Sequence, residues 1–133
     1  MRLRLDSRLL DELTEHVRSC LPEEGCGFLI GAGDRATRFV PAPNVLRSVS
    51  AYEVDPRFLF GLFRALRVSG EKLVAICHSH PAGAARPSAR DVAWAGYPDS
   101  LHVIVSLASG EPEVRAWQLV DGEVLEAELH ANI

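Results

Sequence analysis

The chain has 133 residues, a net charge of −4, and 47% hydrophobic against 24% charged residues, the proportions of one soluble globular domain over residues 1–133 with a core of useful size. All basic residues but Lys72 are arginines and they form no clustered face, which argues against nucleic acid as partner. No apolar run approaches the roughly 18 residues of a membrane span, Met1–Asp6 lacks the apolar stretch of a secretion signal, and three isolated cysteines suggest reduced thiols; the expected setting is the cytoplasm, with no membrane partner.

Arg2–Leu5 alternates charged and apolar residues and reads as a short edge strand. Asp6 or Ser7 can cap the following helix, whose apolar stripe is Leu9, Leu10, Leu13, Val17 and Cys20, making Cys20 a small core residue; Pro22 ends the helix. Gly25–Ile30 is a buried strand with Glu24 at its start, and Cys26 within it is better suited to packing than to nucleophilic chemistry. Gly31–Asp34 turns the chain into a returning strand, Ala36–Pro41, and Pro41–Asn44 opens an irregular connection to a short strand, Ala51–Val54. Asp55-Pro56 starts a helix to about Val68 that buries Leu59, Leu62, Phe63 and Leu66, stopped by Ser69-Gly70.

Lys72–Cys77 is the next strand, and it leads into H-S-H-P-A-G-A-A-R-P-S-A-R-D, residues 78–91. On an extended chain side chains alternate, so His78 and His80 point the same way, about 6–7 Å apart, and Cys77 faces the opposite side. After the loop Pro81–Pro87, Ser88 caps a helix running to Ala95, and Asp91, three residues on, shares its face and sits in the first turn, where the helix dipole favours the carboxylate. Two histidines and an aspartate make a three-ligand set of the kind a catalytic zinc uses, with a fourth position left for water; no cysteine pair offers a structural fourth ligand. Read blandly, Ser88 and Asp91 are only a capping box, a role that does not conflict with the other. Gly96–Asp99 then turns into a buried strand, Leu101–Leu107, in which His102 reads as a structural or surface histidine. Glu123–Leu129 follows Glu113–Val120 through an Asp121-Gly122 turn, and His130 is read as exposed and inert. Periodicity thus supports an α/β domain, a mixed sheet flanked by helices.

The spacing of His78-Ser79-His80, seven residues, Ser88, two residues and Asp91, together with Glu24-Gly25-Cys26-Gly27 upstream, resembles the JAMM (MPN-plus) zinc metallopeptidases, in particular the small prokaryotic type. The resemblance implies the family's layered, cytidine-deaminase-like fold, one zinc per chain held by His78, His80 and Asp91, and Glu24, rather than Glu23, as general base. Without that register Glu24 would read as a solvated loop acid. Such a zinc lowers the pKa of water toward about 7, Glu24 carries the proton to the leaving nitrogen, and Ser88 donates to the oxyanion.

The resemblance further implies peptidase or isopeptidase action after the C-terminal Gly-Gly of a ubiquitin-like or sulfur-carrier protein. Two alternatives stand beside it: a non-catalytic MPN scaffold, which usually lacks motif ligands, and a RadC-like protein, against which the E-x-C-G segment and the acidic balance count. A zinc nucleoside deaminase would need an H-x-E and P-C-x-x-C signature absent here. Arg86 and Arg90 read as solvated surface more readily than as a guide for an acidic partner.

Overall fold

The computed structural model describes residues 1–132. In chain order its elements are β1 (Arg2–Asp6), α1 (Ser7–Ser19), β2 (Cys26–Ala32), β3 (Arg35–Ala42), α2 (Pro56–Ser69), β4 (Lys72–His80), α3 (Ala89–Ala93), β5 (Leu101–Ser106), β6 (Glu113–Val120) and β7 (Glu123–Asn132). Strand order is β1-β3-β2-β4-β5-β6-β7, and β1 also pairs with β7, so the mixed sheet curls into a closed barrel. The seam is thin, because β1 meets β3 only at Arg4 and Arg35. Here Arg4 N also donates to the Asp34 carbonyl at 2.8 Å. The strand expected at an edge is therefore paired on both sides, with Leu3 and Leu5 fully buried.

The alternation of strand side chains divides the core. Cys77, Leu29, Val103 and Val105 face the layer that receives Leu9, Leu13 and Val17 from α1. Ile76, Phe28 and Ile30 face the opposite layer, where α2 contributes Leu62 and Leu66. Each fully buried leucine of this kind stabilises the fold by about 1.5–3 kcal/mol relative to exposure. Asp6 caps α1 through a 2.8 Å hydrogen bond from Leu9 N, Asp55 caps α2 with Pro56 at its first position, and Gly70 closes α2 in the left-handed conformation.

Three local expectations change. Ala51–Val54 forms no strand, because the Asn44 side chain bonds the Ala51 carbonyl and Glu53 N and leaves, among the described residues, only one backbone bond, Val45 N to the Glu53 carbonyl. Cys20 lies beyond the last turn of α1, half-buried beside His16, and takes no place in the core. The third helix stops at Ala93, short of Ala95, as Gly96, a positive φ of 58° at Tyr97, and Pro98 turn the chain. The strand carrying the two histidines, in contrast, runs on through His80, so both stand on a rigid ladder beside β5.

Glycines test the packing in opposite directions. A Cβ on Gly31, at the bulge between β2 and β3, would collide with the Arg35 carbonyl, whereas one on Gly61 in α2 would meet nothing within 4 Å. Gly31→Ala is expected to lose about 1–3 kcal/mol in urea denaturation, and Gly61→Ala to gain about 0.5–1 kcal/mol. Wild-type stability for Gly31→Ala would contradict this packing.

Candidate metal centre

His78 and His80 leave the C-terminal end of β4 on the Ile76 face, and α3 brings Asp91 against them. Ligand atoms of the three residues lie within 4.8 Å of one another. His78 Nε2 is 3.1 Å from His80 Nε2 and 3.2 Å from Asp91 Oδ1, and His80 Nε2 is 3.0 Å from Asp91 Oδ2. Ligand atoms about 2.0–2.1 Å from a tetrahedral ion stand about 3.3 Å apart, so these separations suit one small divalent cation.

The neutral His80 ring agrees with that fit. His80 Nδ1 donates to the Ala84 carbonyl at 2.7 Å, which leaves Nε2 as the lone-pair nitrogen facing the carboxylate. The carbonyl is held in place because the loop between β4 and α3 is tied down: Ser106 Oγ donates to the Gly83 carbonyl at 2.6 Å and Trp117 Nε1 to the Ala85 carbonyl at 3.0 Å. The Tyr52 ring stacks on His78 with centroids 4.7 Å apart. His78 Nδ1 is buried and has no partner among the described residues.

The electrostatics follow from burial and crowding. Burial pushes the His78 pKa down. For His80 burial acts in the same sense but is outweighed by Asp91 and the Ala84 carbonyl, which raise it. Burial alone would raise Asp91, yet hydrogen bonds from the His78 and His80 rings when Nε2 is protonated, and from Ser88 N, hold its carboxyl far below the usual range. The carboxylate is thus kept ionised and facing two imidazole nitrogens.

Ser88 and Asp91 do form the capping box: Ser88 N donates to Asp91 Oδ2 at 2.9 Å and Asp91 N to Ser88 Oγ at 3.1 Å. The Ser88 hydroxyl accepts here, and its own hydrogen has no protein acceptor among the described residues. Ser88 is exposed.

Glu24 is 5% exposed, and its Oε1 has no hydrogen-bond partner among the described residues. Burial raises its pKa to about 7, against a pull downward from His80 and Arg90. A buried acid without a donor is costly, and such groups mark functional sites. Its backbone is clamped on both sides. Gly25 N donates to Ser79 Oγ at 2.8 Å and Ser79 N to the Gly25 carbonyl at 3.0 Å, while Asn44 Nδ2 donates to the Glu24 carbonyl at 3.1 Å. Ser79, Asn44, Tyr52 and the Ala84 carbonyl position the site, and none was singled out from the sequence. Only Ser79 carries a signal there, as the hydroxyl between the two histidines.

The cysteines stand apart from this chemistry. Cys77 is buried on the opposite side of β4, as the alternation requires, and burial pushes the Cys26 thiol up to about 12, leaving it inert at neutral pH. His102 is fully enclosed, with no surface role. His130, near the end of β7, is exposed and meets Glu128 at 3.3 Å.

Fold and site together describe an α/β protein with a His-His-Asp group at the carboxyl end of a parallel strand pair. Residues 6–120 match the family described as prokaryotic homologs of the JAB domain, and the chain belongs to it. It is 37% identical over 121 residues to the CysO-cysteine peptidase of Mycobacterium tuberculosis, covering 89% of this chain and 83% of that one. Over 116 residues it is 37% identical to a probable TtuB-protein conjugate cleaving protease of Thermus thermophilus, with 86% and 74% covered. The solution structure of a Desulfitobacterium hafniense protein, 32% identical, superposes with a TM-score of 0.87 over 99% of this chain and 93% of that one. Among the described residues no helix is long and apolar enough to cross a membrane.

A pH measurement isolates Glu24. Its pKa is raised from 4.5 to about 7 on folding, so the folded state holds this proton more tightly than the unfolded state. The resulting stability is fully present below about pH 4.5 and is lost as pH rises through about 7. In the metal-free protein, Glu24→Gln, which cannot ionise, is expected to gain stability relative to wild type across that window, by denaturant unfolding at successive pH values. Parallel profiles would contradict the buried, unpartnered carboxyl.

Proposed function

We propose that the chain is a zinc-dependent hydrolase, a peptidase or isopeptidase cutting the amide bond after the C-terminal Gly-Gly of a ubiquitin-like or sulfur-carrier protein, with residues 1–133 as one catalytic domain. The observation that carries the reading is the convergence of His78, His80 and Asp91 beside a buried, partner-free Glu24. A scaffold has no use for that carboxyl, whose burial costs stability. The names of the relatives support the substrate class: one is a CysO-cysteine peptidase, another a protease for TtuB-protein conjugates. The three free thiols suit a reducing, cytoplasmic setting.

His78, His80 and Asp91 would hold the ion, and zinc there supplies Lewis acidity that makes water a nucleophile near neutral pH. Glu24, with its pKa at about 7, can take a proton from the attacking water and return it to the leaving nitrogen without a large penalty in either direction. The Ser79 and Asn44 hydrogen bonds fix the backbone from which its side chain projects. The Ser88 hydroxyl, having accepted from Asp91 N, turns its own hydrogen toward the oxyanion that develops on the scissile carbonyl. The products are a free carboxylate on the Gly-Gly tail and a free amine, and no covalent enzyme intermediate is needed.

A carrier protein extended past its Gly-Gly serves as the test substrate. The wild type is expected to release the extension, and Glu24→Gln to lower kcat/KM by about 10²–10⁴-fold while keeping its metal. Equal rates for both proteins, or cleavage that survives chelation of the metal, would overturn the reading.

A further inference from the structure

His78 and His80 are held in unlike ways. The Ala84 carbonyl, 2.7 Å from His80 Nδ1, fixes the second nitrogen of that ring. His78 Nδ1 is buried with no hydrogen-bond partner among the described residues. A metal-ligating histidine ordinarily donates its other ring N–H to a carbonyl or carboxylate, and that bond keeps the lone pair of the ligating nitrogen aimed at the ion. Where the bond is missing, rotation about Cβ–Cγ tilts the lone pair away, so another contact has to fix the His78 ring plane.

Tyr52 supplies that contact. Its ring centroid is 4.7 Å from that of His78 and the planes lie 23° from parallel, the geometry of an offset-stacked pair. His80 stands at 61° to His78, so it is Tyr52 that lies along the imidazole plane. Tyr52 belongs to no helix or strand, yet it is firmly seated, because Asn44 brackets it. Asn44 Nδ2 donates to the Ala51 carbonyl at 2.9 Å, and Oδ1 accepts from Glu53 N at 3.1 Å. The same amide donates to the Glu24 carbonyl and accepts from Leu46 N, each at 3.1 Å. Both donors and both acceptor sites of the side chain are thereby used, and the peptide groups on either side of Tyr52 hang from it.

Resting on the reading of His78, His80 and Asp91 as a metal centre, we infer that Tyr52 is a positioning residue, its stacked ring fixing the His78 imidazole plane in place of an Nδ1 hydrogen bond, and that Asn44 sets the Tyr52 ring. The stack favours the loaded site over the empty one. A cation on Nε2 draws electron density out of the imidazole, and the electron-rich face of the phenol attracts the more positive ring more strongly. The contact comes from the ring and not from the hydroxyl, so phenylalanine serves in its place and an aliphatic chain does not.

Zinc affinity of the metal-free chain, measured by competition with a chromophoric chelator, tests this without catalysis. Tyr52→Leu is expected to bind zinc about 10–100-fold more weakly than wild type, and Tyr52→Phe to restore most of that loss. Asn44→Ala is expected to weaken binding roughly tenfold, and to add little once Tyr52 is replaced by leucine, because both act through one contact. Wild-type affinity in Tyr52→Leu, or equal losses in Tyr52→Leu and Tyr52→Phe, overturns the role of the ring; additive losses in the double variant overturn that of Asn44.

A second measurement uses the wild type alone and decides the matter if Tyr52→Leu does not fold. Nuclear Overhauser contacts between the Tyr52 and His78 rings are expected in the metal-free and the zinc-loaded protein alike, and their loss on zinc addition overturns the inference. A wild type that takes up no zinc contradicts the metal centre itself, whereas zinc held equally by wild type and Tyr52→Leu removes only the role of Tyr52.

Discussion

Three electron-pair donors meet at one buried point, and the rest of the structure is arranged to hold them there. Two imidazole nitrogens and a carboxylate oxygen 3.0–3.2 Å apart repel one another unless positive charge stands between them. The Ala84 carbonyl removes one escape by fixing the His80 proton on Nδ1. Ser88 removes another, since its backbone N–H holds Asp91 in place while its hydroxyl caps the helix that carries Asp91. A site organised in this way is poised for a cation, and the energy needed to assemble it comes from the surrounding core.

That core explains why a short chain can sustain such a site. β4 lies at the centre of the sheet between β2 and β5, so the strand bearing both histidines is paired along each edge. Ser79, between them, points into the opposite layer and fastens the start of β2 with its hydroxyl and its backbone N–H. One tripeptide thereby supplies two side chains of the candidate metal group and the clamp for the backbone that carries the acid. Substitution of Ser79 would disturb Glu24 without touching the histidines.

Much of this was legible from residue spacing. Alternation placed His78 and His80 together and Cys77 apart, and the Ser88–Asp91 interval located the cap and the third member of the candidate metal group. Glu24 was different, because nothing local distinguishes it from Glu23; its burial arises from contacts with segments far along the chain, which only a family register could anticipate. Ala51–Val54 misled because its β-like composition competes with Asn44, a single side chain that replaces a ladder. β1 looked like an edge because closure by β7 brings together opposite ends of the chain, a pairing that no local pattern encodes. His102 read as a structural or surface histidine, and its enclosure in β5 leaves the structural reading.

The most direct measurement is elemental analysis of the purified protein, wild type beside His80→Ala. One zinc per chain in the wild type and none in the variant is the expected result. A wild-type chain that takes up no metal even after zinc supplementation would contradict the assignment of His78, His80 and Asp91 as a metal centre.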